Sequence, residues 1–91
     1  MSGEKYYVYV LLSIKDHNFY TGFTNNLKRR LQEHARSEVS ATTHRRPLKL
    51  IHYEYYVNKK DAQAREVFLK SGFGREQLKK SLQNTLSLFI N

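Results

Sequence analysis

Arg30 and His34 stand four residues apart in the stretch Leu27-Lys28-Arg29-Arg30-Leu31-Gln32-Glu33-His34-Ala35-Arg36, so on a helix their side chains stack along one flank. Leu27, Leu31 and Ala35 recur at helical spacing as the inward stripe. That places Arg30 beside the stripe and Arg29 roughly opposite it. Arg30 therefore either reaches into a site or lays its stem along the core edge. Further on, Ala62, Glu66 and Leu69 fall at i, i+4 and i+7, which puts a carboxylate on the inward stripe of a second helix. An unpaired carboxylate there is costly, so Glu66 needs a cation. A basic side chain is the ordinary answer; a hard metal ion such as Mg2+, which prefers carboxylate oxygen, is the sharper one. Tyr9 and Tyr20 can meet across a hairpin, where paired tyrosines either pack or, beside a cation that eases loss of the proton, do chemistry.

These residues need a scaffold. Tyr6 to Leu12 is an unbroken apolar and aromatic run, which reads as a strand buried on both faces. Ser13 to His17 is a polar turn, and Asn18 to Phe23 is the return strand, whose Gly22 marks a close approach to the backbone. Thr24-Asn25-Asn26 is a helix-start signal for a helix over 27–36. Residues 37–47 form a polar, basic loop closed by Pro47. A third strand runs over 48–57, a helix over 59–70, a break at Ser71-Gly72-Phe73-Gly74, and a third helix over 75–86. The order is β-β-α-β-α-α, an α+β chain read as one domain spanning 1–91.

Composition narrows the partners. With 91 residues the chain suffices for one domain. Its net charge of +8 favours a polyanion through counterion release, so nucleic acid is expected ahead of an anionic membrane surface. The absence of cysteine rules out disulfides and thiolate metal sites, and fits a reducing, cytoplasmic setting. No apolar run reaches membrane-spanning length. His17, His34, His44 and His52 have no zinc-like spacing, and no glycine-rich phosphate loop is present. His44, Arg45, Arg46 and Lys49 read as contacts to a nucleic-acid backbone or as a solvated loop, with Arg29 and Lys70 as further candidate phosphate contacts.

In this order the pieces resemble the GIY-YIG nuclease superfamily. Tyr7-Val8-Tyr9 matches the first motif with tyrosine for its leading glycine, and Tyr20-Thr21-Gly22 matches the second with threonine for isoleucine. Gly22 to His34 is similar to the family's strand-to-helix segment, in which the functional arginine directly precedes an apolar residue; this again selects Arg30. Ala64-Arg65-Glu66 matches the segment with the metal-binding glutamate. The resemblance covers roughly residues 5–82 and is closest to free-standing bacterial proteins related to the N-terminal nuclease part of the UvrC excinuclease subunit. It implies a small three-stranded antiparallel sheet flanked by helices, and a metal-dependent DNA endonuclease, structure-specific and linked to repair or recombination. Glu66 would hold one Mg2+ or Mn2+, and Arg30 would bind the phosphate. Tyr9 would position or deprotonate the attacking water, Tyr20 would hydrogen-bond to the phosphate or that water, and His34 would help move the proton. RNA is a second candidate substrate. A targeting protein partner and a monomer or weak homodimer complete the expectation. The rival is a catalytically inactive basic module that binds DNA or RNA with stacked tyrosines.

Overall fold

In the computed structural model, residues 4–90 are described. The elements are β1 (Tyr6–Ser13), β2 (Phe19–Thr24), α1 (Leu27–Ala35), β3 (Leu48–Tyr56), α2 (Lys59–Lys70), α3 (Gly72–Ser81) and the short α4 (Gln83–Leu86). The strands form one antiparallel sheet in the order β2-β1-β3. β1 is central, which is why its whole apolar run from Val8 to Leu12 is buried rather than alternating.

The two faces of β1 do different work. Val8 and Val10 pack with Ala62 and Leu69 of α2 and Leu78 of α3, with Phe19, Phe23 and Phe68 closing the cluster. Burying each such aliphatic side chain is worth about 1.5–3 kcal/mol. Alternation sends Tyr9 and Leu11 to the other face, where Tyr9 meets α1. The sheet thus lies between α1 and the α2–α3 pair.

Local chemistry sets the helix ends. Asn26 caps α1 by accepting from the Arg29 amide at 3.1 Å, and Asn58 caps α2 by accepting from the Lys60 amide at 2.8 Å. α2 is fastened to β3 by Arg65, whose Nε and Nη2 donate to the Glu54 carboxylate at 2.9 and 3.2 Å. Burial pushes the Glu54 carboxyl up, but donors from Arg65, His52 and Tyr56 outweigh it and hold the group down at about 2.

Two boundaries differ from the sequence reading. The break after α2 is a single residue, because Ser71 ends α2 and its Oγ accepts from the Gly74 amide at 3.1 Å to start α3 at once. A side chain at Gly74 would run into the Phe68 carbonyl, so glycine permits this tight junction. The expected third helix also divides at Leu82 into α3 and α4. The 37–47 loop is no loose solvated segment either. It buries Val39 and Thr42 and contains a 3-10 turn at Thr43–Arg45.

Candidate active site

The site begins at the middle of β1. Tyr9 pairs with Gly22 across the β1–β2 ladder, and Leu11 pairs with Tyr20, so Tyr20 lies diagonal to Tyr9 on the same face. Their ring centroids are 6.3 Å apart. α1 lowers two side chains onto this pair. His34 is the buried residue of the helix, its ring centroid 5.7 Å from that of Tyr9 and 5.1 Å from that of Tyr20. Arg30, one turn earlier, is partly exposed. The inward stripe of α1 is therefore rotated from the one expected: Ala35 is exposed, and His34 takes the inward position.

A continuous hydrogen-bond chain connects these groups. Arg30 Nε donates to the Tyr9 hydroxyl at 3.3 Å, Tyr9 Oη and His34 Nε2 are 2.9 Å apart, and His34 Nδ1 and Thr42 Oγ1 are 2.8 Å apart. Thr42 Oγ1 in turn donates to the Val39 carbonyl at 3.4 Å. Counting protons fixes the directions. The Thr42 hydrogen is spent on Val39, so its oxygen accepts the Nδ1 hydrogen; Nε2 of the neutral ring is then bare and accepts from Tyr9, whose oxygen accepts from Arg30. Burial, followed by the positive charge of Arg30, lowers His34 to about 4, so the imidazole is neutral at pH 7 and accepts from Tyr9.

Burial raises Tyr9 to about 12, against the opposing hydrogen bond from Arg30. Arg30 is held in its charged form above its ordinary value, first by Glu33, whose Oε1 accepts from Nη1 at 2.9 Å, and then by Tyr9. Tyr9 is 0 % exposed and both sides of its hydroxyl are engaged, whereas Tyr20 is half-buried and its hydroxyl has no hydrogen-bond partner among the described residues. The accessible phenol is therefore Tyr20.

Glu66 occupies the inward side of α2 between buried Ala62 and Leu69. Its charge is near enough to Tyr9 to raise that phenol further. Its partner is Lys70, with Nζ 2.8 Å from Oε2, an ion pair on a half-exposed lysine side chain. The ordinary answer to the Glu66 carboxylate is thus realised, in a partly exposed ion pair of the kind that contributes little to stability. Among the described residues no three His, Cys, Asp or Glu side chains gather, so a metal ion at Glu66 would complete its shell with water and substrate oxygens, as Mg2+ commonly does.

The other expected contacts scatter. Arg29 is 63 % exposed, 3.8 Å from Glu33, and shares with Arg30 and Lys59 a cleft of about 660 Å³. Arg45 is committed to structure: it lies 3.6 Å from Asp16 and donates to the Phe19 carbonyl at 3.2 Å, fastening the loop to the β1–β2 hairpin. His44 is exposed, and its carbonyl accepts from Lys15. Arg46 donates to the Ala35 carbonyl at the end of α1. Lys49 pairs with Leu12 and so projects from the sheet face opposite to Tyr9. The His44–Lys49 segment does not form one basic patch. Sequence reasoning missed Thr42 and Glu33. Only the chain order Ser-Glu-Val-Ser-Ala-Thr-Thr after His34 hinted that a hydroxyl lay within reach.

Comparison with known proteins shows the family of this fold. Residues 5–80 match the GIY-YIG catalytic domain. The chain is 41 % identical to a UPF0213 protein of Limosilactobacillus reuteri, over 97 % of this chain and 94 % of that one. It is 43 % identical to a UPF0213 protein of Clostridium perfringens, over 70 % and 69 % of the two chains. The solution NMR structure of a UPF0213 protein from Bacillus halodurans superposes with a TM-score of 0.54 at 33 % identity, covering 84 % of this chain and 83 % of that one.

Proposed function

The chain belongs to the GIY-YIG catalytic domain family, and from that premise we propose that it is a metal-dependent endonuclease that hydrolyses phosphodiester bonds in DNA. The observation that carries the reading is the convergence of four groups from four elements, β1, β2, α1 and α2. Arg30 is bound to Tyr9, Tyr20 is free beside them, and Glu66 is in electrostatic reach. A module that only binds nucleic acid has no use for a carboxylate on the inward side of α2.

Arg30 spends two of its donors on Tyr9 and Glu33, and its remaining N–H groups are open to a phosphate in the cleft. Because it is already fixed, it meets charge developing on the phosphate without reorganising. Tyr20 presents the accessible hydroxyl, so it takes the position beside the attacking water. Tyr9 acts from beneath by holding Arg30 and receiving support from neutral His34. This divides the two phenols differently from the sequence expectation, which gave the water to Tyr9. Glu66 is the residue that would hold Mg2+ or Mn2+, which when bound supplies Lewis-acid stabilisation of phosphate charge. A role in DNA repair or recombination, and a preference for branched or flapped DNA, remain part of the proposal.

The test is cleavage of labelled duplex, flapped and branched DNA with Mg2+, with Mn2+ and with chelator, beside Glu66→Ala. Metal-dependent cleavage by the wild type only, with DNA binding retained by Glu66→Ala, is the expected result. Equal cleavage by both proteins would overturn the role of Glu66, and binding without cleavage on every substrate would overturn the nuclease.

A further inference from the structure

α1 covers Tyr9 but leaves bare the β3 side of the same sheet face. Tyr53 pairs with Tyr9 and Tyr55 with Tyr7, so these side chains share that face, and Leu50 continues the row after the irregularity in the ladder. Tyr53 is 52 % exposed and Tyr55 51 %. Tyr7 holds both, edge-on to Tyr53 with centroids 6.1 Å apart and tilted against Tyr55 at 5.7 Å. The three rings form a fixed aromatic surface at the edge of the sheet.

This surface borders a groove along α1. One cleft of about 510 Å³ lies between the end of α1 and the start of β3, and another of about 620 Å³ lies between the start of α1 and the start of β1. Leu31 lines both, so the two clefts flank one side chain of α1. Leu11, Leu31, Leu48 and Leu50 give the first cleft an apolar floor, and Tyr7, Leu27 and Leu31 give one to the second beside polar Asn25 and Asn26. Arg46 stands at the first and Lys5 and Lys28 at the second, with Glu4 the one carboxylate lining them among the described residues. Arg30 faces the cleft on the opposite flank of the helix.

We propose that this groove and its tyrosine surface bind a single strand of nucleic acid, with unpaired bases stacked on Tyr53 and Tyr55 and phosphates against Arg46, Lys5 and Lys28. Three observations favour that occupant. The exposed rings are phenols pinned by Tyr7, a stacking surface at low entropic cost. The cations stand beside apolar floors, which suits a chain with a charged backbone and flat apolar bases. A duplex hides its base faces, so only unpaired bases can use the rings. The inference rests on nucleic acid as the partner; His34 lines the groove as well as the proposed cleavage site, but the residues that would stack bases or meet phosphates, Tyr53, Tyr55, Arg46, Lys5 and Lys28, take no part in the proposed cleavage chemistry. It gives the enzyme a reason to favour flapped or splayed DNA, whose loose strand the groove would hold while the junction lies across α1.

The experiment uses the full chain without divalent metal, with fluorescence anisotropy of a labelled oligothymidine and of a duplex hairpin with equal phosphate count. Wild type should bind the single strand more tightly. Tyr53→Ala/Tyr55→Ala should bind it roughly ten-fold or more weakly, as expected for lost base stacking, with duplex binding unchanged. Tyr53→Phe/Tyr55→Phe should retain the preference, because the ring and not the hydroxyl does the stacking. Both positions are half-exposed, and circular dichroism will confirm that the variants fold. Unchanged single-strand binding by the alanine variant overturns the groove and leaves the nuclease standing. A wild-type dimer made monomeric by the alanine pair, with no change in DNA affinity, overturns it in favour of a second copy of the chain. No binding to either DNA overturns this inference and the nucleic-acid reading together.

Discussion

Gly22 faces Tyr9 in the β1–β2 ladder, and the Tyr9 ring lies directly over it. The phenol can lie flat against β2 because glycine leaves that space empty. A methyl group at Gly22 would stand well inside van der Waals contact of the Tyr9 oxygen and of the ring carbon that bears it. Tyr9 is walled in by Arg30 and His34, so it cannot yield without breaking their hydrogen bonds. Gly22→Ala should therefore cost about 1–3 kcal/mol, the usual penalty for overpacking, and should lower cleavage even where the protein is folded. Urea unfolding and a cleavage assay on the same preparation check this. Wild-type values in both would show that the Tyr9 ring is not pinned.

Arg30 and Arg29 are adjacent in sequence and opposite in circumstance. Arg30 is tied to Tyr9 and Glu33, while Arg29 is mostly solvated. Removing one preorganised donor to transition-state charge commonly costs about 10²–10³-fold in rate, and Arg30→Ala should fall in that range. Arg29→Ala should change the rate by no more than a few fold, with its effect on KM, since an exposed phosphate contact contributes to binding rather than to the chemical step. Equal losses of kcat in single-turnover assays would overturn the distinction.

The scaffold was legible in the sequence because its signals are local. The run from Tyr6 to Leu12 announced a strand buried on both faces, Ser71 marked the end of α2, and Gly22 marked a close approach whose partner proved to be Tyr9. Arg30 was separable from Arg29 by helical angle alone. The stripe of α1 was misplaced by periodicity because the helix buries His34, a polar residue satisfied at both nitrogens, and exposes Ala35. Arg45 read as a phosphate contact because nothing in a linear sequence shows that Asp16 and the Phe19 carbonyl fold against it. The ring surface of Tyr7, Tyr53 and Tyr55 depends on strand register, which composition does not carry.

His34 ties stability to pH. Its folded value of about 4 lies below the ordinary 6.5, so between these values the unfolded chain binds a proton that the folded one refuses. Unfolding is then favoured as pH falls. His34 contributes no penalty above about pH 7, a loss of about 2 kcal/mol by pH 5, and its full loss only below pH 4. The Glu54 carboxylate, held down at about 2, adds its own loss only at lower pH, so the interval from pH 6.5 to 5 reports His34. Urea midpoints across that interval should fall for wild type and stay flatter for His34→Gln. A flat wild-type profile would mean that the imidazole ionises in place.

Thr42 is the residue that decides which nitrogen of His34 carries the proton. Its hydroxyl hydrogen goes to the Val39 carbonyl, so its oxygen accepts from Nδ1 and leaves Nε2 unprotonated to receive the Tyr9 hydrogen. Thr42→Val keeps the shape and removes the acceptor, stranding a buried N–H at a cost of about 1–3 kcal/mol. The ring can recover part of this by moving its proton to Nε2, which then donates to the Tyr9 oxygen and competes with Arg30 for it. The expected outcome is lower kcat with little change in KM, a changed His34 tautomer in nitrogen NMR, and rescue of both by Thr42→Ser. A variant that loses stability but keeps full kcat and the wild-type tautomer would reduce Thr42 to a packing role.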